Sequence, residues 1–295
     1  MSYMRVTVGS QAWTSLDSID NASSRLAQLQ AQLSSGKRIQ QPSDDPNGTV
    51  QAMALRSAMS RNDQYGTNAS DASAWLSTAD STYNQIVAVV QQAQTAVVKG
   101  MNTGANDADA NTALADEIDG YRSTLLSLSN SQYNGRPLFG GTTAGGAAYD
   151  SSGSYVGDTG TVSRIVGQGN EVSVSAAGPD VFGSGSGSLF SVLSQISTAL
   201  RTDPSTLSGS QTALNSALSR ISAAQSTEGA AYARVQQAKT TQTTQDTAMT
   251  TQLTGIENVD LADMAIQVST ANTTYQAALQ TTASVRQMSL LDFLK

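Results

Sequence analysis

Asp107-x-Asp109-x-Asn111 has the oxygen-ligand spacing of the first half of a calcium loop. Such a loop needs Gly at its sixth position for the sharp turn and Glu at its twelfth for two-oxygen ligation. Those places hold Thr112 and Ile118. The run suits a helix start instead, where acidic residues meet the positive end of the helix dipole. Gly167-x-Gly169 is half of a dinucleotide-binding fingerprint, but Val172 stands where the third Gly belongs. A hairpin turn accounts for it. Asp44 and Asp45 are adjacent carboxylates that acid-base chemistry could use; lying between Pro42 and Pro46, they suit turn and capping roles better. None of the many serines lies in a Gly-x-Ser-x-Gly elbow followed by a helix. The chain has no histidine and no cysteine, which removes the commonest general base, the commonest metal ligand, thiolate sites and disulfides. The expectation is a non-enzyme with no cofactor, no metal site and no catalytic residues.

Composition narrows the partners. Sixteen Lys and Arg against 23 Asp and Glu give a net charge of −7, so nucleic acid is disfavoured, because that affinity rests on neutralising phosphates. Lys37 and Arg38 are an isolated basic pair rather than part of a stripe. Apolar residues make up 39% of the 295 residues, aromatics only 5% and charged residues 13%. Leu, Ala and Val can build helical seams, while few large side chains remain for a thick globular core. No stretch reaches the roughly 18 uninterrupted apolar residues of a membrane span, so no membrane insertion is expected. Residues Met1 to Trp13 lack the charged start and apolar run of a secretory signal. That pattern fits a cytoplasmic protein, and equally one exported without a hydrophobic leader.

The elements that must position any functional residue are helices. From Ala69 the positions Ala72, Leu76, Ala79, Tyr83, Ile86, Val90, Ala93 and Val97 step by three and four. Ile19, Ala22, Leu26, Leu29 and Leu33 keep the same rhythm near the start, and Leu261, Met264, Val268, Ala271, Tyr275 and Ala278 keep it near the end. This is the repeat that lets helices wrap into left-handed bundles. Helices are predicted over about 10–34, 49–99 (with a kink or break at Gly66, ended by Gly100 and Gly104), 107–128, 189–200, 208–253 and 261–289. Gly36 is a natural helix-ending residue. Pro42-Ser43-Asp44-Asp45-Pro46-Asn47-Gly48 is a turn cluster, and Gly255 to Asp260 is a second joint. Between Asn134 and Gly187 the chain turns Gly- and Ser-rich, with alternating pieces at 161–166 and 171–175 and a flexible exit linker at 183–188. The seam of the 208–253 helix holds Leu214, Leu218, Ile221, Tyr232 and Val235 but also Gln225, Glu228, Gln242 and Asp246. Its polar side is expected to face solvent or a polar partner.

The order is roughly palindromic. It predicts a mainly α chain: an elongated antiparallel helical bundle or coiled coil from paired N- and C-terminal helices, with a small inserted β domain. Five segments follow: an N-terminal core helix (1–41), the first half of the bundle (42–133), the β insert (134–188), the second half (189–254) and a C-terminal core helix (255–295). Two helices alone cannot bury both flanks of their stripes, so the ends are expected to order on assembly.

Leu33-Ser34-Ser35-Gly36-Lys37-Arg38-Ile39, followed by the 42–48 cluster, resembles the N-terminal signature of the bacterial flagellin family. Ile256-Glu257-Asn258-Val259-Asp260-Leu261-Ala262 and Tyr275-Gln276-Ala277-Ala278-Leu279 resemble its C-terminal signature. The resemblance spans about the first 140 and last 105 residues. Its signature residues here are Gly36, Arg38, Asp44, Asp45, Pro46 and Gly48. Asp44-Asp45-Pro46, the phrases 134–141 and 178–183, and the ending Ser289-Leu290-Leu291-Asp292-Phe293-Leu294 resemble the family's hook–filament junction branch. The family's usual opening phrase is matched from Met4, which makes Met1–Tyr3 an extension or Met4 the start.

The resemblance implies a structural adaptor exported unfolded or partly folded through the flagellar type III channel, with no cleaved signal, to an extracellular place on the flagellum. It implies a ring of neighbouring copies set between hook-associated protein 1 and flagellin, with an export chaperone at the C-terminal helix. The terminal helices would form the core, so the expected assembly interface is Ile19, Leu26, Leu29, Leu33, Leu261, Met264, Val268 and Tyr275. The alternative is flagellin itself, the filament subunit; a secreted adhesin on a helical stalk is the more distant reading.

Overall fold

The computed structural model describes residues 8–102, 107–143 and 145–293, with side chains from 13 to 284. Met1–Tyr3 and the Met4 phrase, Gly104, Leu294 and the side chains from Leu290 to Phe293 therefore lie outside the described residues. The described chain is mainly helical: α1 (Val8–Ser35), α2 (Pro46–Gly100), α3 (Ala108–Ser129), α4 (Gly178–Phe182), α5 (Leu189–Thr202), α6 (Ser208–Glu257) and α7 (Leu261–Phe293). Two antiparallel hairpins interrupt them, β1 (Gln132–Tyr133) with β2 (Arg136–Pro137) and β3 (Ser163–Gly167) with β4 (Asn170–Ser173). The chain forms two compact units, 61–245 and 1–60 with 246–295.

In the unit 61–245 the α2 stripe is the core. Every member from Ala69 to Val97 at the 3-4 step is at most 2% exposed. Ile118 and Leu125 of α3, Leu193, Ile196 and Leu200 of α5, and Leu214, Ile221 and Val235 of α6 close over it in one continuous cluster. α2 and α6 run antiparallel here, as their hydrogen bonds show: Asn62 Nδ2 donates to the Gln242 carbonyl (3.0 Å), Gln236 Nε2 to Ser73 Oγ (3.3 Å) and Gln94 Nε2 to Asn215 Oδ1 (2.8 Å). At the insert the scarce aromatics gather. Tyr83 meets Phe139 edge-on at 5.5 Å, Phe139 meets Phe182 at 5.3 Å, and Tyr149 contacts both Phe182 and Phe190. Edge-to-face packing at these distances is the favoured aromatic geometry, so a chain poor in aromatics spends them where insert meets helices.

Several local expectations change. α2 runs through Gly66 without a break, since the packing along its stripe outweighs one glycine's cost in a long helix. The 183–188 run folds into a 3₁₀ turn at Gly185–Gly187, and the Ser188 hydroxyl caps α5 by accepting from the Ser191 amide (3.2 Å). In α6 the polar side of the seam is partly interior. Glu228 and Gln242 are buried, and Gln242 Nε2 donates to the Val166 carbonyl of β3 (2.7 Å), whereas Tyr232 stands 40% exposed. Asp107 does start α3, its Oδ1 accepting from the Ala110 amide at 2.8 Å.

Candidate assembly site: the terminal helix pair and its joint

In the unit 1–60 with 246–295, α1 packs along α7. Leu29 and Met264 are its most enclosed seam residues, at 3% and 6% exposure. Ile19, Leu26, Leu33, Val268 and Tyr275 are partly buried. Leu261, the first residue of α7, is 60% exposed and so lies outside the seam that its 3-4 spacing assigned it to. The pair leaves a second set of large apolar side chains in water: Trp13 (76%), Leu16, Ile266 (66%) and Leu279. Trp13 and Leu16 are three apart, so they share one side of α1. Ala22, Leu29, Ile266 and Ala271 line an open groove of about 300 Å³ along the pair. Ile266 falls between the stripe positions, which is why a 3-4 count passes over it.

The two signatures meet at the base of the pair. Gly36 ends α1 at φ +69, a left-handed conformation that glycine adopts without strain. Its carbonyl accepts from the Val259 amide (3.1 Å), and the Arg38 amide donates to the Glu257 carbonyl (2.6 Å). The Arg38 guanidinium then reaches both Asp45 Oδ2 (3.0 Å) and the Ile256 carbonyl (2.9 Å). A single nitrogen, Arg38 Nη2, thus ties the first joint to the second.

Asp44 and Asp45 act as acceptors. Asp44 Oδ2 takes the Gln40 and Gln41 amides at 3.0 Å each, and Asp45 Oδ1 takes the Gly48 amide at 2.9 Å in the first turn of α2. Those backbone donors, joined by Arg38 for Asp45, hold both carboxyls below the usual carboxylate range. A carboxylate so held is a poor general acid, and the pair reads as a helix start with a clamp. A Cβ at Gly48 would lie 2.5 Å from Asp45 Oδ2 and 2.7 Å from Ile39 Cδ1, so a larger residue there displaces the clamped carboxylate or the Ile39 side chain. Glu257, 7% exposed, is met by Arg56 at 2.7 Å and Lys37 at 3.7 Å, an ionic hub that the sequence reading missed. Two cations on a buried carboxylate offset the cost of taking it out of water. Asp260 starts α7 by accepting the Ala262 amide (2.8 Å).

Among the described residues no cluster of three or more His, Cys, Asp or Glu is arranged to hold a metal ion, and no helix is long and apolar enough to cross a membrane. The geometry serves packing: an apolar helix pair on an ion-clamped base.

Residues 10–144 match the bacterial flagellin N-terminal helical region, and residues 211–294 match the bacterial flagellin C-terminal helical region. The chain belongs to the bacterial flagellin family. Within this flagellin-family chain, the joint residues Gly36, Arg38, Asp44, Asp45, Pro46 and Gly48 all fall inside the N-terminal match. Flagellar hook-associated protein 3 of Salmonella typhimurium is 31% identical over 183 residues, which cover 61% of this chain and 57% of that protein. Polar flagellin F of Vibrio parahaemolyticus is 30% identical over 124 residues, 42% of this chain and 33% of that protein. The chain spans about half the length of the curated hook-associated relatives it matches. The crystal structure of Bacillus cereus FlgL shares the fold, with a TM-score of 0.60 at 20% identity over 68% of this chain and 99% of that one.

Proposed function

We propose that this flagellin-family chain is the hook–filament junction protein of a bacterial flagellum: a structural, non-enzymatic adaptor outside the cell. The observation that carries the proposal is the α1–α7 pair, which buries one seam within the chain and leaves Trp13, Leu16, Ile266 and Leu279 in water. Large apolar side chains left in water towards both ends of the pair are the ones a neighbouring subunit would cover. Neighbouring copies in a ring cover it, so that Ile19, Leu26, Leu29, Leu33, Met264, Val268 and Tyr275 become fully buried and Leu261 gains a neighbour. Hook-associated protein 1 lies on one side of the ring and flagellin on the other. The chain reaches this place through the flagellar export channel, and a chaperone holds the C-terminal helix until then. The five-part division at 41, 133, 188 and 254 describes the same plan: core helices at both ends, bundle halves inside them and the insert between.

The longer match to hook-associated protein 3 than to polar flagellin F favours the junction over the filament subunit. A deletion strain tests this directly. The expected phenotype is a complete hook, no filament and flagellin shed into the medium, restored by the wild-type chain. Leu26→Asp or Val268→Asp is expected to leave the chain soluble and to fail in that restoration; normal filament growth with either variant contradicts the proposal. The filament reading rests on the 30% match to polar flagellin F. It requires long filaments when the purified chain is seeded, and the junction reading predicts none.

A further inference from the structure

In the unit 61–245, Leu76, Ser77 and Asp80 of α2 and Glu228, Gly229 and Tyr232 of α6 line a cavity of about 410 Å³ that opens to the surface. Its inner wall is an acid without a counter-charge. Glu228 is 8% exposed, and its Oε2 is closed to solvent with no hydrogen-bond partner. Asp80, at the mouth, is held in place by amides: Gln225 Nε2 donates to its Oδ1 (3.0 Å) and Asn84 Nδ2 to its Oδ2 (3.2 Å). Among the described residues no lysine or arginine forms a salt bridge with either carboxylate. Burial, and then the Asp80 charge, push Glu228 up to about 8. The remaining titratable neighbours are phenols, Tyr83 behind Glu228 and Tyr232 at the rim, with Asp180 acting on Tyr83 from α4. Gly229 is interior to a helix, yet a Cβ placed there would meet nothing within 4 Å, so crowding does not explain it. A side chain at that position would narrow the cavity instead.

We propose that this cavity receives the guanidinium of an arginine side chain from a protein partner. Glu228, with the Tyr83 hydroxyl beside it, is held neutral by a proton below about pH 8, and a cation brought into the cavity takes that proton's place. Guanidinium suits the walls better than ammonium does. Its planar set of donors can reach Glu228 and Asp80 together, with Ser77 as a further acceptor, while its face lies against the Tyr232 ring. The site lies away from the terminal helices, so its test does not depend on the junction reading.

The test is a pH titration of the Glu228 carboxyl carbon by NMR in the full-length protein. It is run with ethylguanidinium chloride at tens of millimolar and with sodium chloride at the same ionic strength. Ethylguanidinium is expected to lower the Glu228 midpoint by about one pH unit, a tenfold change in proton affinity, relative to sodium chloride. It is also expected to move the Ser77 and Tyr232 amide signals. Asp80→Asn should weaken those amide shifts, and Glu228→Gln should abolish them in a protein that remains folded. No displacement beyond that of sodium chloride overturns the proposal. Nα-acetyl-L-arginine amide carries the side chain on a neutral backbone, as a partner protein does, and is expected to bind at least as tightly as free L-arginine. Tighter binding of the free amino acid would overturn the assignment to a protein side chain.

Discussion

The same 3-4 code is written in both units, and it is satisfied in only one of them. Along residues 69–97 every stripe position is shut away from water. In the unit 1–60 with 246–295, the buried apolar residues among those described are Leu29, Ala52 and Met264, while Trp13, Leu16, Val50, Met53, Leu261, Ile266 and Leu279 stand exposed. The inner unit packs most of α2 and α6 with α3 and α5, and the α2 stripe finds cover on more than one side. The terminal unit holds the α1–α7 pair and the ends of α2 and α6 (residues 46–60 and 246–257), and the pair leaves most of its border wet. A heptad pattern states which side chains seek a neighbour; it does not state whether that neighbour belongs to the same chain.

Breaking the inner unit should have the largest effect. Ile118→Ala removes a fully buried side chain and is expected to cost about 2–5 kcal/mol in chemical denaturation. An equivalent change at half-buried Val268 should cost well under half of that in the free chain. Next comes Glu228, the buried acid of the inner core that lacks a cation among the described residues. Glu228 is raised above its ordinary value when folded, so its contribution to stability is complete in acid and is lost as pH climbs from the unfolded value through about 8. Glu228→Gln escapes that loss. Its advantage over wild type in thermal melts should be absent near about pH 5 and grow to the order of 2–4 kcal/mol above pH 8.

At the joint the effects shrink because the clamp is half in water. Arg38→Ala breaks the contacts to Asp45 and Ile256 at a side chain 48% exposed. It is expected to cost about 0.5–1 kcal/mol and to respond to salt. Arg38→Lys should recover only part of that. The smallest change in the free chain belongs to the exposed flank. Trp13→Ser and Ile266→Ser should shift melting by less than about 0.5 kcal/mol, yet each should weaken assembly measurably in a complementation assay. A flank substitution that left assembly intact would place those side chains outside the contact.

Much of the fold was legible from spacing. The stripes of α2 and of the terminal pair follow from the helical period, and Gly36 and the 42–48 cluster marked the first joint. The β3–β4 hairpin followed from alternation around Gly167 and Gly169. What stayed hidden depends on partners distant in sequence. Gln242 looked like a surface residue because nothing near it in the chain announces the Val166 carbonyl 76 positions away that makes it interior. The ionic role of Glu257, part of the C-terminal signature, is not legible in the sequence because Arg56 lies 201 positions off. The hairpin at Asn134-Gly135 leaves no alternation to read, since its strands are only Gln132–Tyr133 and Arg136–Pro137. In the candidate site, Leu261 keeps the 3-4 spacing yet is exposed in the free chain, and Ile266 falls between the stripe positions.

Amide hydrogen exchange, read separately over the two units in the free chain and again in the assembled junction, bears most directly on whether the terminal pair is completed by its neighbours. α1 and α7 are expected to exchange far faster than residues 69–97 of α2 when the chain is free, and to become comparably protected on assembly. Terminal helices already protected to the level of 69–97 in the free chain, with no gain on assembly, would contradict the account.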